Sequence, residues 1–174
     1  MAKMIVVDHD RCLGCKSCEL ACALAHCQAA SLEEAVRTDA RAEPRVHVEP
    51  SDGLGMPMQC HHCTNAPCVA VCPTGAIARG SQDAPVLLDQ DRCIGCRLCM
   101  VVCPFGAISI SHHGKAMLKC DLCIEQTQGG GLPACVAACP SGALRYEDID
   151  EWLMQRRRRS AELLRAADQH TLEP

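Results

Sequence analysis

The sequence predicts a small, loop-rich α+β fold made of two related halves, followed by a helical extension. Three observations predict it. Sixteen of the 17 cysteines fall into four quartets, one motif recurs about eighty residues apart, and the 174 residues contain a single Trp, a single Tyr and a single Phe. Length alone would allow an ordinary core. Phe105, Tyr146 and Trp152 are too few to fill one, so another material must occupy the interior.

The quartets are Cys12, Cys15, Cys18 and Cys22; Cys60, Cys63, Cys68 and Cys72; Cys93, Cys96, Cys99 and Cys103; and Cys120, Cys123, Cys135 and Cys139. In Cys-x-x-Cys-x-x-Cys the chain curls so that three sulfurs face one cubane iron-sulfur cluster, with backbone N–H groups pointing at the sulfurs. A fourth cysteine three residues later has turned away, and in two-cluster ferredoxins it ligates the other cluster. Four helical residues rise about 6 Å, which with the cubes puts paired clusters roughly 10 Å apart, close enough for rapid electron tunnelling.

The first and third quartets keep this spacing unbroken. The second widens its middle gap to four residues, and the fourth places eleven residues between Cys123 and Cys135. Structural zinc is the competing use of Cys-x-x-Cys pairs. It needs neither a third cysteine in the same turn nor a following Cys-Pro. Four 4Fe-4S clusters with sixteen cysteine ligands are therefore expected, and the chain without metal is expected to be largely unfolded.

The repeat sets the organisation. Asp10-Arg11-Cys12-Leu13-Gly14-Cys15 returns as Asp91-Arg92-Cys93-Ile94-Gly95-Cys96, each copy accompanied by a looser quartet. A second echo follows three quartets: Cys72-Pro73-Thr74-Gly75-Ala76-Ile77, Cys103-Pro104-Phe105-Gly106-Ala107-Ile108 and Cys139-Pro140-Ser141-Gly142-Ala143-Leu144. Proline there stops the short helix carrying the last cysteines, and glycine permits the tight turn that follows.

Short strands are expected at Met4 to Val7, Arg45 to Glu49, Val86 to Leu88 and Ile108 to Ser111, where apolar or alternating residues lie beside turn formers. After the first quartet Ala23 replaces proline, so a longer helix is expected within Lys16 to Ala30. Within the insertion from Ala23 to Gln59, Ser31-Leu32-Glu33-Glu34 is a capping-box pattern that starts a short helix, and Pro50 to Gly55 is rich in turn formers. The insertion's role is to shield a cluster from water or to dock a partner. Gly129-Gly130-Gly131 lacks the ending of a phosphate loop and reads as a flexible connector.

The last segment differs in kind. Asp148 caps a helix with Glu151 three places on, and Ile149, Trp152, Leu153, Ser160, Leu163, Leu164 and Ala167 recur at helical spacing. About five turns of amphipathic helix are expected. The run Arg156 to Arg159 must send at least one arginine along the apolar stripe. Elsewhere, Cys27 reads as a free thiol, and His61 and His62 as outer hydrogen-bond donors because the cysteine count is already complete. The remaining histidines show no spacing that suggests a site.

The formal charge of −4 counts cysteines as neutral. A cubane with four thiolates carries roughly two negative charges, and about one more when reduced, so the loaded protein is strongly acidic. That argues against nucleic acid as a partner and for docking on basic surfaces. The apolar run Met4 to Val7 is too brief for a signal peptide, and no stretch reaches the length of a membrane span. A cytoplasmic protein with reduced thiols and no direct membrane span is expected.

These motifs resemble the four-cluster ferredoxin-like electron-transfer subunits that serve molybdenum and tungsten oxidoreductases, formate dehydrogenases, hydrogenases and carbon monoxide dehydrogenase. The stretch Cys12 to His26 looks most like the compact subunits of carbon monoxide dehydrogenase and tungsten aldehyde oxidoreductase. The resemblance implies two bacterial-ferredoxin-like two-cluster modules with short hairpins and helices in residues 1–147, and a C-terminal amphipathic helix in 148–174. The outer module would comprise about 1–30 and 115–147, the inner about 56–112. It also implies exchanged last cysteines. One cluster takes Cys12, Cys15, Cys18 and Cys139; a second Cys120, Cys123, Cys135 and Cys22; a third Cys60, Cys63, Cys68 and Cys103; a fourth Cys93, Cys96, Cys99 and Cys72.

The expected function is a non-catalytic subunit relaying single electrons between a catalytic oxidoreductase subunit and a second redox partner. The catalytic subunit would be a tungsten, molybdenum or nickel enzyme; the second partner would be a flavin- or NAD-linked subunit, or further copies of the chain in a head-to-tail row. No paired carboxylates, nucleophile with base or nucleotide-binding glycine pattern stands apart from the cysteine motifs. A free polyferredoxin, a zinc scaffold and an iron-sulfur sensor that binds DNA are the alternatives, the last supported only by the arginine run.

Overall fold

The structure, a computed structural model, describes residues 3–51, 54–112 and 117–170. Its elements are β1 (Lys3–Val7), a 3₁₀ turn at His9–Arg11, α1 (Ser17–Ala25), α2 (Leu32–Arg37), β2 (His47–Ser51), β3 (Leu54–Met58), α3 (Pro67–Ala70), β4 (Ile77–Arg79), β5 (Val86–Leu88), α4 (Leu98–Val102), β6 (Ile108–Ile110), β7 (Met117–Lys119), α5 (Ile124–Gln128), α6 (Ala134–Ala137), β8 (Leu144–Asp148) and α7 (Ile149–His170). The strands form antiparallel pairs β1–β8, β2–β3, β4–β5 and β6–β7. Pairing of β1 with β8 sets Ile5 opposite Tyr146 and Val7 opposite Leu144, which brings the first quartet to the last.

Two separate cores result. One packs Ile5, Val46, Val48, Leu122 and Leu144 around Cys18, Cys22, Cys120 and Cys135. The other packs Ile77, Val86, Ile108 and Met117 around Cys99. Each burial of such an aliphatic side chain contributes about 1.5–3 kcal/mol, while ordering each residue costs about 1–2 kcal/mol of backbone entropy. Four or five aliphatic anchors per core cannot hold so much chain. The short helices cross in matching pairs, α1 on α6 in the first core and α3 on α4 in the second.

The Cys-Pro-x-Gly-Ala echo has a structural meaning. Each copy buries its alanine, Ala76, Ala107 or Ala143, and leads directly into a strand, β4, β6 or β8. Strands β3, β4, β7 and β8 leave no signal in the sequence because three to five residues carry too little periodicity.

Two boundaries differ from expectation. Helix α1 stops at Ala25, not Ala30, because the His26 ring Nδ1 donates to the Cys22 carbonyl at 2.7 Å and the His26 backbone N–H shifts to Ala23. Strand β2 begins at His47 because the Arg45 N–H is directed to Cys22 Sγ at 3.3 Å. The turn expected at Pro50 to Gly55 is the tip of the β2–β3 hairpin, with residues 52 and 53 outside the described set.

Both capping patterns form. Ser31 Oγ accepts the Glu34 N–H at 3.2 Å while the Glu34 carboxylate accepts the Ala30 N–H at 2.9 Å. Asp148 Oδ1 accepts the N–H groups of Asp150 and Glu151 at the start of α7. At 22 residues α7 is longer than expected. Its first turns lie along Val7 to Arg11 and Arg145, with the Arg156 guanidinium 5.2 Å from the centre of the half-buried Trp152 ring. Beyond Trp152 the stripe is open: Leu153, Leu163 and Leu164 are exposed. No helix among the described residues is long and apolar enough to cross a membrane.

Candidate metal centres

Local backbone geometry turns the cysteines of each quartet toward one point. In the first quartet Gly14 (φ 64°) and Lys16 (φ 60°) take the left-handed conformation, and in the third Gly95 (φ 69°) and Arg97 (φ 66°) do the same. Lys16 and Arg97 then cap α1 and α4, which carry the later cysteines. The loosened quartets make the same bend without glycine. His62 (φ 47°), Leu122 (φ 60°) and Cys123 (φ 49°) are left-handed, at roughly 1–2 kcal/mol each. Such strain persists only where the surroundings over-determine it.

Two pockets bring cysteines of different quartets together. Cys60, Cys63 and Cys68 line one small pocket with Cys103, and Cys93, Cys96 and Cys99 line another with Cys72. Each pocket thus takes its fourth sulfur from the other quartet. In the first core Cys12 and Cys139 pack beside Cys18, Cys22, Cys120 and Cys135. Cys135 feels the charges of Cys120, Cys22, Cys123 and Cys18, and Cys15 that of Cys139.

The electrostatics fit a cationic iron-sulfur core. Burial pushes the Cys18 thiol to about 11 and Cys120 to about 12, and drives Cys135 higher still. Thiolates converging in an apolar interior need a positive partner, and binding one releases protons. None of the 17 cysteines is in a disulfide. Burial also pushes Cys72 and Cys139 up, but hydrogen bonds outweigh it and leave both below the ordinary thiol value. The donors are backbone groups of Thr74, Ala76, Ile77 and the Thr74 hydroxyl for Cys72, and Ser141, Ala143, Leu144 and the Ser141 hydroxyl for Cys139. The echo turn is therefore a cradle of donors around one sulfur.

Several outer residues were not legible. His26 links Cys22 to Asp121, with Nε2 3.1 Å from Asp121 Oδ1, and Arg45 pairs with the other Asp121 oxygen. These contacts raise His26 to about 12 against the opposing effect of burial, so the network carries a positive charge beside Cys22 and Cys123. Its spacing four residues after Cys22, on the same helical face, was the available signal. His61 and His62 line the Cys60 cavity, and burial holds both below the usual histidine range, His62 at about 3. His61 packs on Phe105 with ring centroids 4.2 Å apart. Neither His62 ring nitrogen has a hydrogen-bond partner among the described residues. Cys27 is half-buried, its Sγ 3.3 Å from the Leu24 carbonyl.

Family comparison points to iron-sulfur binding. A model described as a 4Fe-4S dicluster domain matches residues 52–149, and one for a 4Fe-4S binding domain matches residues 9–29. An iron-sulfur protein of Rhodospirillum rubrum is 39% identical over 180 residues, covering 96% of this chain and 93% of its own. Electron transport protein HydN of Escherichia coli (strain K12) is 36% identical over 179 residues, covering 92% of this chain and 98% of its own. A tetrathionate reductase subunit of Salmonella typhimurium is 35% identical over 150 residues, covering 84% of this chain and 58% of its own. The chain belongs to the 4Fe-4S dicluster family, among the multi-cluster ferredoxin-like electron-transfer proteins.

Proposed function

We propose that the chain holds four 4Fe-4S clusters in the exchanged ligand sets and relays single electrons along them. The observation that carries this reading is the pair of cavities in which three cysteines of one quartet meet the last cysteine of another. Bound clusters would supply one-electron redox chemistry, each alternating between two charge states. The protein's residues do the rest: sixteen thiolates hold iron, the echo turns donate N–H groups to Cys72 and Cys139, and the two cores exclude water.

The order along the wire follows from exposure and proximity. Cys15 and Cys96 are exposed and belong to the sets Cys12, Cys15, Cys18, Cys139 and Cys93, Cys96, Cys99, Cys72. Exposed Leu13 and Ile94 stand beside them. These two sets form the ends, where partners exchange electrons. Cys120 feels the charge of Cys60, so the other two sets meet in the middle.

The wire serves an oxidoreductase complex, in which a tungsten, molybdenum or nickel subunit performs the substrate chemistry. Relatives named as an electron transport protein and as part of a reductase support that role. Anaerobic purification of the native protein under mild conditions tests it. Copurification of a large subunit containing one of those metals is expected. Recovery of the chain alone, reducing several unrelated enzymes equally well, would favour a free polyferredoxin.

A further inference from the structure

Lys119 and Gln59 are the two buried polar or charged side chains among the described residues, at 3% and 2% exposure. Each immediately precedes the first cysteine of a loosened quartet, Cys120 or Cys60. Lys119 Nζ donates to the carbonyl of Val86, in the second core, and to that of Cys120, in the first, at 2.9 Å. The side chain therefore bridges the two cores where the loosened quartets meet. Its charge reaches Cys120 on one side and Cys68 on the other.

This ammonium has no carboxylate partner among the described residues. Asp121, two positions on, is engaged by Arg45 and His26. Two carbonyl dipoles do not neutralise a buried cation, and a charge removed from water without a counter-charge is strongly disfavoured. No carboxylate among the described residues thus supplies the anion. Four thiolates around an iron-sulfur core carry net negative charge, and that charge grows by one on reduction.

We propose that Lys119 is the counter-charge shared by the two central sites, Cys60, Cys63, Cys68, Cys103 and Cys120, Cys123, Cys135, Cys22, and that it raises the reduction potential of both. This rests on the four-cluster reading. A cation favours the more negative, reduced state of whatever it faces. Standing between two such sites, Lys119 would favour reduction of both and so offset part of the cost of placing two negative sites side by side.

The test uses the full chain, prepared anaerobically as wild type, Lys119→Met and Lys119→Arg, with iron and labile sulfide counted first. Potentiometric titrations followed by electron paramagnetic resonance then read each centre. In iron-replete Lys119→Met two centres are expected to shift negative, with the reduced-to-oxidised ratio at the wild-type midpoint falling about tenfold, which is 59 mV for a one-electron couple. Lys119→Arg should restore most of that shift. Unchanged potentials, an equal shift in the arginine variant, or a shift spread over all four centres would overturn the proposal. If Lys119→Met loses iron, wild-type protein labelled with ¹⁵Nζ-lysine decides. Pulsed resonance must show one lysine nitrogen coupled to two reduced centres, a coupling absent from Lys119→Arg, and its absence from wild type rejects the idea. A shortfall of iron in the wild type would instead reject the four-cluster reading beneath it.

Discussion

The two strict quartets and the two loosened ones solve one coordination problem in opposite surroundings. The strict quartets bend at Gly14 and Gly95 and expose Cys15 and Cys96. The loosened quartets bend at His62 and Leu122, expose no cysteine and bury Gln59 or Lys119 beside their first sulfur. Glycine tolerates the left-handed conformation without help. A histidine or leucine needs a packed neighbourhood to hold it there. The strict motif shares its bend between a glycine and one exposed residue, Lys16 or Arg97, and suits a surface, whereas the loosened motif bends without glycine and depends on the cores it joins.

Removing metal breaks the comparison most completely, because both kinds of quartet depend on it. Anaerobic iron chelation is expected to abolish amide-exchange protection in β1–β8 and β4–β5 together, since neither core has enough aliphatic anchors to persist. Protection surviving in one pair would show a core that stands without its clusters.

Single ligand substitutions sharpen the contrast. Cys135→Ser, buried in the first core, is expected to lose about eight irons, two cubanes' worth, because its set shares α1 through Cys22 with the neighbouring set. Cys15→Ser, exposed at an end, is expected to lose about four at most. Equal losses by elemental analysis would remove the distinction between ends and middle.

A smaller effect separates the first strict quartet from the third. The β2–β3 hairpin seals the first quartet, and a Cβ added at Gly55 would sit 2.7 Å from Gly14 Cα and 3.0 Å from Cys12 Sγ. Gly55→Ala should cost about 1–3 kcal/mol and alter the resonance signal of one centre only, read by denaturation and spectroscopy. An unperturbed variant would mean the hairpin does not press on that loop. Smallest for the clusters is truncation after Asp148: iron content and potentials are expected to stay unchanged while assembly with other subunits is lost, as size-exclusion chromatography would register. Unchanged assembly would exclude α7 as a docking element.

The convergence of the cysteines was legible because spacing in sequence is spacing in space when three cysteines share one turn. Eleven residues separate Cys135 from Cys123, yet Cys139-Pro140 marked the end of its quartet. The strands at Val86 to Leu88 and Met4 to Val7 announced themselves by composition, and Asp148 and Ser31 by their capping partners. What stayed hidden depends on contacts distant in sequence. His26 meets Asp121 across 95 positions and Lys119 meets Val86 across 33. Neither pairing leaves a periodic trace, and β4 and β7 are only three residues long.

Quantifying iron, acid-labile sulfide and unpaired spins in anaerobically purified, dithionite-reduced protein tests the central claim most directly. The account predicts about sixteen irons, about sixteen sulfides and close to four spins per chain. Eight irons or fewer, or stoichiometric zinc with no resonance signal, would contradict it.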